Sequence, residues 1–100
     1  MNQLATLVSV KFLEIGKMYQ YQAQRNELFT EQGQEVFLKI RDNVNALLEK
    51  SGAVRMDKAI NVATGDTWLM LACVDRMVEL GALREITGKN VAGQYRIFTR

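Results

Sequence analysis

Between Ala63 and Leu83 the chain reads ATGDTWLMLACVDRMVELGAL, and residues 68–74 of that stretch are continuously apolar. No other part of the sequence limits the fold as much. The spacing predicts a tight turn, a helix of about four turns, a glycine stop and the start of a strand. Asp66 is placed to cap the helix, its carboxylate accepting from free N–H groups of the first turn. Gly81 stands at the stop, where the left-handed conformation is needed and a Cβ would clash. Met70, Cys73, Val74, Met77 and Leu80 recur at helical spacing and mark a face to be buried. Trp68, Leu69, Leu71 and Ala72 make the N-terminal half of the helix apolar nearly all round. Such a helix lies deep in a core or presses on a partner. Covering Trp68 and Leu71 removes roughly 200–300 Å² of apolar surface from water, worth several kcal/mol at about 25 cal/mol/Å². Three placements are open for Trp68: a core aromatic beneath an N-terminal extension, an anchor for another protein, or a ring set against DNA.

Ahead of this helix the pattern is less uniform. Leu4, Leu7, Val8, Phe12, Ile15 and Tyr19 fit a helical stripe, while Val8, Val10 and Phe12 also fit a strand. Helix is the preferred reading, with Gly16 as a break. Residues 17–29 are helix-compatible; Tyr19 and Tyr21, two apart, cannot share a helix face, so one is expected to seal a core while the other faces water or a partner. Thr30 is a candidate N-cap. Residues 34–51 carry the clearest helical pattern, with Val36, Phe37, Ile40, Val44, Leu47 and Leu48 on one side and Ser51-Gly52 at the end. A short strand at 53–55 and a brief helix over 57–63 follow, with Ala59, Ile60 and Val62 or Ala63 turned inward.

After Gly81 the period changes to two. Leu83, Glu85 and Thr87, then Tyr95, Ile97 and Thr99, alternate on either side of a loop flanked by Gly88 and Gly93, which reads as a β-hairpin. The fold class is therefore mostly α with a small β-hairpin (α+β). Residues 1–30 form a helical extension and residues 31–100 the domain proper.

One hundred residues suit a single domain, and 48% apolar content argues against disorder. The formal charge is +2, which permits nucleic-acid contact without demanding it. Residues 1–51 carry six basic and six acidic side chains, so the excess lies in the second half. The lone Cys73 sits among apolar neighbours as a small hydrophobe, in keeping with a reducing cytoplasm. No secretory leader is visible, and seven contiguous apolar residues fall far short of the roughly 20 that span a bilayer. With no histidine, no paired carboxylates at cleft-like positions and no Cys/His cluster, neither catalysis nor a metal or other cofactor is expected. The stripe Leu4, Val8, Phe12 and Ile15, lying outside a complete small domain, suits a twofold homodimer.

The order from residue 34 onward resembles the winged helix-turn-helix family. The likeness is carried by the first helix ending in Leu47-Leu48 before Ser51-Gly52-Ala53. It continues through the two-helix unit with its turn at Thr64-Gly65 and the exit Glu79-Leu80-Gly81-Ala82-Leu83 into a hairpin. The resemblance implies that the central helix enters the major groove while the hairpin touches the backbone or minor groove. By position, Thr67, Trp68, Leu71 and Asp75 would then face DNA. Arg84, Lys89, Asn90, Arg96 and Arg100 on the hairpin, with Arg55 and Lys58 near the second helix, would form a basic rim for phosphates. Trp, Leu and Asp are not the side chains that read base edges. Two functions follow: a dimeric, cytoplasmic DNA-binding transcriptional regulator of winged-helix type, or a winged-helix protein-interaction module without DNA binding. In the second, Trp68 and Leu71 join Leu4, Val8, Phe12 and Ile15 in gripping a partner.

Overall fold

A computed structural model describes residues 19–100. The readings made for residues 1–18, including the stripe Leu4, Val8, Phe12 and Ile15 and the break at Gly16, lie outside the described residues.

Tyr21–Gln24 makes one helical turn, α1, which tightens into a 3₁₀ turn over Arg25–Phe29. Thr30 then adopts an extended backbone, and its hydroxyl accepts from the Gly33 N–H at 3.0 Å, capping the long helix α2, Glu31–Ser51. The order continues with β1 (Ala53–Arg55), α3 (Met56–Ala59), α4 (Thr67–Glu79), β2 (Arg84–Glu85), a second 3₁₀ turn (Gly93–Tyr95) and β3 (Ile97–Thr99). The three strands form one antiparallel sheet in the order β1-β3-β2. The molecule is mostly helical with a small antiparallel sheet, an α+β architecture.

The core lies where α2 crosses α4 and the sheet closes one end. Ile40, Val44 and Leu48 recur every four residues along α2 and are buried, with Val36, Phe37 and Leu47 packed beside them. Val54 on β1 lies directly opposite Phe98 on β3, and both point into this core. From α4 come Leu69, Met70, Leu71, Ala72, Cys73, Val74 and Met77, all buried. The apolar run is thus satisfied within the chain. Leu28, from the first 3₁₀ turn, is buried in the same cluster, so residues 19–29 pack on the domain that follows them. That turn lies so close to the first turn of α2 that a Cβ at Gly33 would collide with the Glu27 carbonyl oxygen.

Asp66 caps α4 as expected, accepting from the Trp68 N–H at 3.0 Å and the Leu69 N–H at 3.4 Å. Gly81 has φ +82°, the left-handed stop. Leu80 departs from the expected buried face and is 57% exposed. The last helical residue is Glu79, and the reversal at Gly81 lets Ala82 and Leu83 donate back to the Met77 carbonyl, so that Leu83 rather than Leu80 enters the core. The helix expected over 57–63 is shorter, Met56–Ala59. Asn43 on α2 ends it by donating to the carbonyls of Lys58 and Ala59, both at 2.9 Å. Ala63 packs on the core while Val62 faces out. The hairpin is also shorter than the alternation implied. The Thr87 hydroxyl accepts from the Ile97 N–H at 3.2 Å in place of a backbone carbonyl, and Tyr95 belongs to a 3₁₀ turn instead of a strand. No helix among the described residues is long and apolar enough to cross a membrane.

Candidate nucleic-acid interface

Trp68, Ala72, Asp75 and Glu79 follow the spacing i, i+4, i+7 and i+11, so they share the side of α4 turned away from Met70, Val74 and Met77. The N-terminal segment lies across that side. The Tyr19 hydroxyl donates to Asp75 Oδ2 at 2.8 Å, the Tyr21 hydroxyl donates to Glu79 Oε1, and Arg25 Nε donates to Glu79 Oε2 at 2.9 Å. Arg76 adds a bond to Glu79 at 2.8 Å. Below these, the Phe29 ring receives the guanidinium groups of Arg25 and Arg76, each 5.2 Å from its centre. The expectation that Tyr19 and Tyr21 part company is corrected. Residues 19–20 are not helical, and Gln20 is extended (φ −136°, ψ 124°), so side chains two apart fall on the same side. Burial, then the Asp75 charge, raises the Tyr19 phenol. Burial and the bond to Glu79 push Tyr21 up to about 12. The bonds from Tyr21 and then Arg76 pull Glu79 down to about 2.

A second cluster ties the hairpin to α4. Arg96 lies between two carboxylates: its Nη2 donates to Asp75 Oδ1 at 2.8 Å and to Glu85 Oε1 at 3.0 Å, and its Nε to Glu85 Oε2 at 3.1 Å. Thr87 donates to the same Glu85 oxygen at 2.7 Å. The guanidinium also sits 5.0 Å from the centre of the Phe98 ring. Burial alone would lower the Arg96 pKa, but the bonds to Asp75 and Glu85 outweigh it and raise the value. Burial opposes ionisation of Glu85, yet the bonds from Arg96 and Thr87 hold it below the usual carboxylate range. Arg96 and Asp75 side chains keep only 18% and 13% of their exposure. Between this cluster and the hairpin loop opens a cleft of about 440 Å³, lined by Tyr19, Tyr21, Asp75, Glu85, Lys89 and Arg96 among others. Among the described residues no buried side-chain nitrogen or oxygen lacks a hydrogen-bond partner.

The side chains that the resemblance aims at DNA therefore separate into groups. Leu71 is 2% exposed and is a core residue, out of reach of DNA or of a protein partner. Trp68 is half-buried and packs on the core from the rim of α4. Thr67, the first residue of α4, is half-buried, and Asp75 is committed to Tyr19 and Arg96. Arg96 is corrected from a phosphate ligand to an internal clasp, because two carboxylates hold it. Arg55 is bound by Asp57 at 2.7 and 3.0 Å and covers the Tyr95 ring at 5.4 Å. The bond from Arg55 keeps Asp57 below its ordinary value.

Lys58, Arg84, Lys89, Asn90 and Arg100 remain exposed. Of these, the cations Lys58, Arg84, Lys89 and Arg100 form no ion pair among the described residues. Arg84 lies opposite Thr99, beside Arg100, at the open end of the hairpin, while Lys89 and Asn90 lie in its loop. Every carboxylate after Ser51 is engaged: Asp57 by Arg55, Asp75 and Glu85 by Arg96, Glu79 by Arg25 and Arg76, and Asp66 by backbone amides. Among the described residues the exposed, unpaired carboxylates, Glu27, Glu31, Glu35 and Glu49, all precede that point.

The sequence offered a cover by the N-terminal segment and one tyrosine sealing the core, but not the bonds of Tyr19, Tyr21 and Arg25 to Asp75 and Glu79, nor the clasping role of Glu85. The available signal was the pair Asp75 and Glu79, two carboxylates four apart on the stripe that also holds Trp68 and Ala72. Cys73 is buried, which pushes its thiol up to about 12 and leaves it inert near neutrality. Among the described residues no group of three or more His, Cys, Asp or Glu is placed to hold a metal ion. Compared with known proteins, the chain matches no family model, and no curated protein or solved structure is significantly similar to it.

Proposed function

We propose that the chain is a small DNA-binding protein of winged-helix type, suited to a transcriptional regulator, which holds duplex DNA through its hairpin and the adjoining α3. The element order α2–β1–α3–α4–β2–β3, with β3 between its partners, supports the fold part of this reading. The observation that carries the binding part is the sorting of charge. Internal pairing absorbs the carboxylates beyond Ser51 and leaves Lys58, Arg84, Lys89 and Arg100 at the surface, where cations neutralise phosphates and release counterions. The burial of Leu71 and the packing of Trp68 on the core favour this reading over a protein-interaction module, whose other residues Leu4, Val8, Phe12 and Ile15 lie outside the described residues.

Fluorescence anisotropy with a labelled 20-base-pair duplex tests the proposal. About four phosphate contacts give a slope near −3.6 in log K against log salt, so affinity falls roughly 100-fold between 50 and 200 mM NaCl. Absence of binding at 50 mM would overturn it.

A further inference from the structure

We infer that this contact carries no base readout, so that the ligand is the phosphate backbone of duplex DNA whatever its sequence. The inference rests on the DNA-binding reading above and specifies its ligand.

Direct readout needs unpaired donors and acceptors delivered to base edges, usually by the first turns of a helix in the major groove. The outward stripe of α4 offers only the indole N–H of half-buried Trp68, a lone donor that cannot supply the paired donor and acceptor of a bidentate base contact. Trp68 packs on the core, and Ala72 is fully buried and has no polar side-chain atom. Asp75 accepts from Tyr19 and Arg96, and Glu79 accepts from Tyr21, Arg25 and Arg76. Residues 19–25 lie across this stripe, bonded to it through Tyr19, Tyr21 and Arg25. This cover is fixed at its far end, because Leu28 is 1% exposed in the core and the Thr30 hydroxyl and Gln34 amide hold the carbonyls of Glu27 and Leu28 at 2.8 and 2.6 Å. Beyond Ser51 the unpaired cations belong instead to α3, to the hairpin loop and to the hairpin's open end. Asn90, exposed in the loop, adds one polar group, and a loop tip entering the minor groove meets a pattern that distinguishes little beyond A·T from G·C.

The experiment compares two 20-base-pair duplexes of equal base composition and unrelated order at 50 mM NaCl, using the full chain. It is followed by selection from a duplex pool randomised at its centre. The expected result is affinities within about twofold of each other, no enriched motif, and an equal loss on both duplexes for a variant carrying Arg84→Ala and Lys89→Ala. A preference of tenfold or more, or an enriched motif, overturns this inference and leaves DNA binding standing. Failure to bind either duplex overturns both.

Discussion

At Gly33 the chain needs the absence of a side chain for a reason unrelated to backbone freedom. The residue is helical and buried, and the Glu27 carbonyl oxygen and the Leu28 carbonyl carbon occupy the place a methyl group would take. Backbone atoms cannot rotate aside as the end of a lysine can, so a larger residue must lift the 3₁₀ turn off α2. That turn carries Leu28 into the core, so the displacement is transmitted to packing. Gly33→Ala is expected to lower unfolding free energy by about 2 kcal/mol, within the range for overpacked cores, measured by urea denaturation. Gly88→Ala is the matched control: no atom lies within 4 Å of its added Cβ, and its stability should stay within roughly 0.5 kcal/mol of the parent.

The segment over α4 is an element held mostly by polar bonds near the surface, and such bonds respond to pH. Glu79 has its folded pKa depressed from 4.5 to about 2, so its contribution is present above 4.5 and lost as the pH falls toward 2. Tyr21 has its value raised from 10.0 to about 12, so its contribution is present below 10 and lost as the pH rises toward 12. Melting temperature should therefore fall on both flanks, and Tyr21→Phe should make both falls shallower. An unaltered acid flank in that variant would show that Tyr21 does not hold Glu79. How far the sequence disclosed these elements follows from the range of the forces involved. The caps at Thr30 and Asp66, the stop at Gly81 and the stripe Ile40–Val44–Leu48 depend on neighbours within a few residues, and all were legible. The Tyr19–Asp75 and Tyr21–Glu79 bonds join positions more than fifty apart, and the bonds of Arg96 to Asp75 and Glu85 span 21 and 11 residues. No local period records such meetings. The local pattern around Arg96 and Leu71 therefore does not reveal that one is clasped by two carboxylates and the other is buried in the core.

Across the whole molecule, charge is divided rather than scarce. Among the described residues the unpaired acids Glu27, Glu31, Glu35 and Glu49 lie on the first 3₁₀ turn and α2, where Lys39 and Lys50 offset only part of them. Beyond Ser51 every charged side chain left unengaged is a cation. A net charge of +2 conceals this separation. Changing Arg84 and Lys89 together to Ala should reduce the salt slope of DNA binding by about two units and leave the melting temperature nearly unchanged, since neither pairs with a carboxylate among the described residues. Arg96→Ala should do the reverse. It leaves Asp75 and Glu85 without their shared cation and should cost about 2 kcal/mol of stability, less than a fully buried pair because both acids keep some solvent access.

The sheet order sets a schedule for assembly. β1 and β2 are not paired with each other; both bond to β3, which is made after them. During synthesis, two strands must wait with unpaired edges until residues 97–99 leave the ribosome, and Phe98 then fills the end of the core that Val54 has left open. A chain halted a few residues early would therefore lose the whole sheet in one step, together with the Phe98 ring from the core.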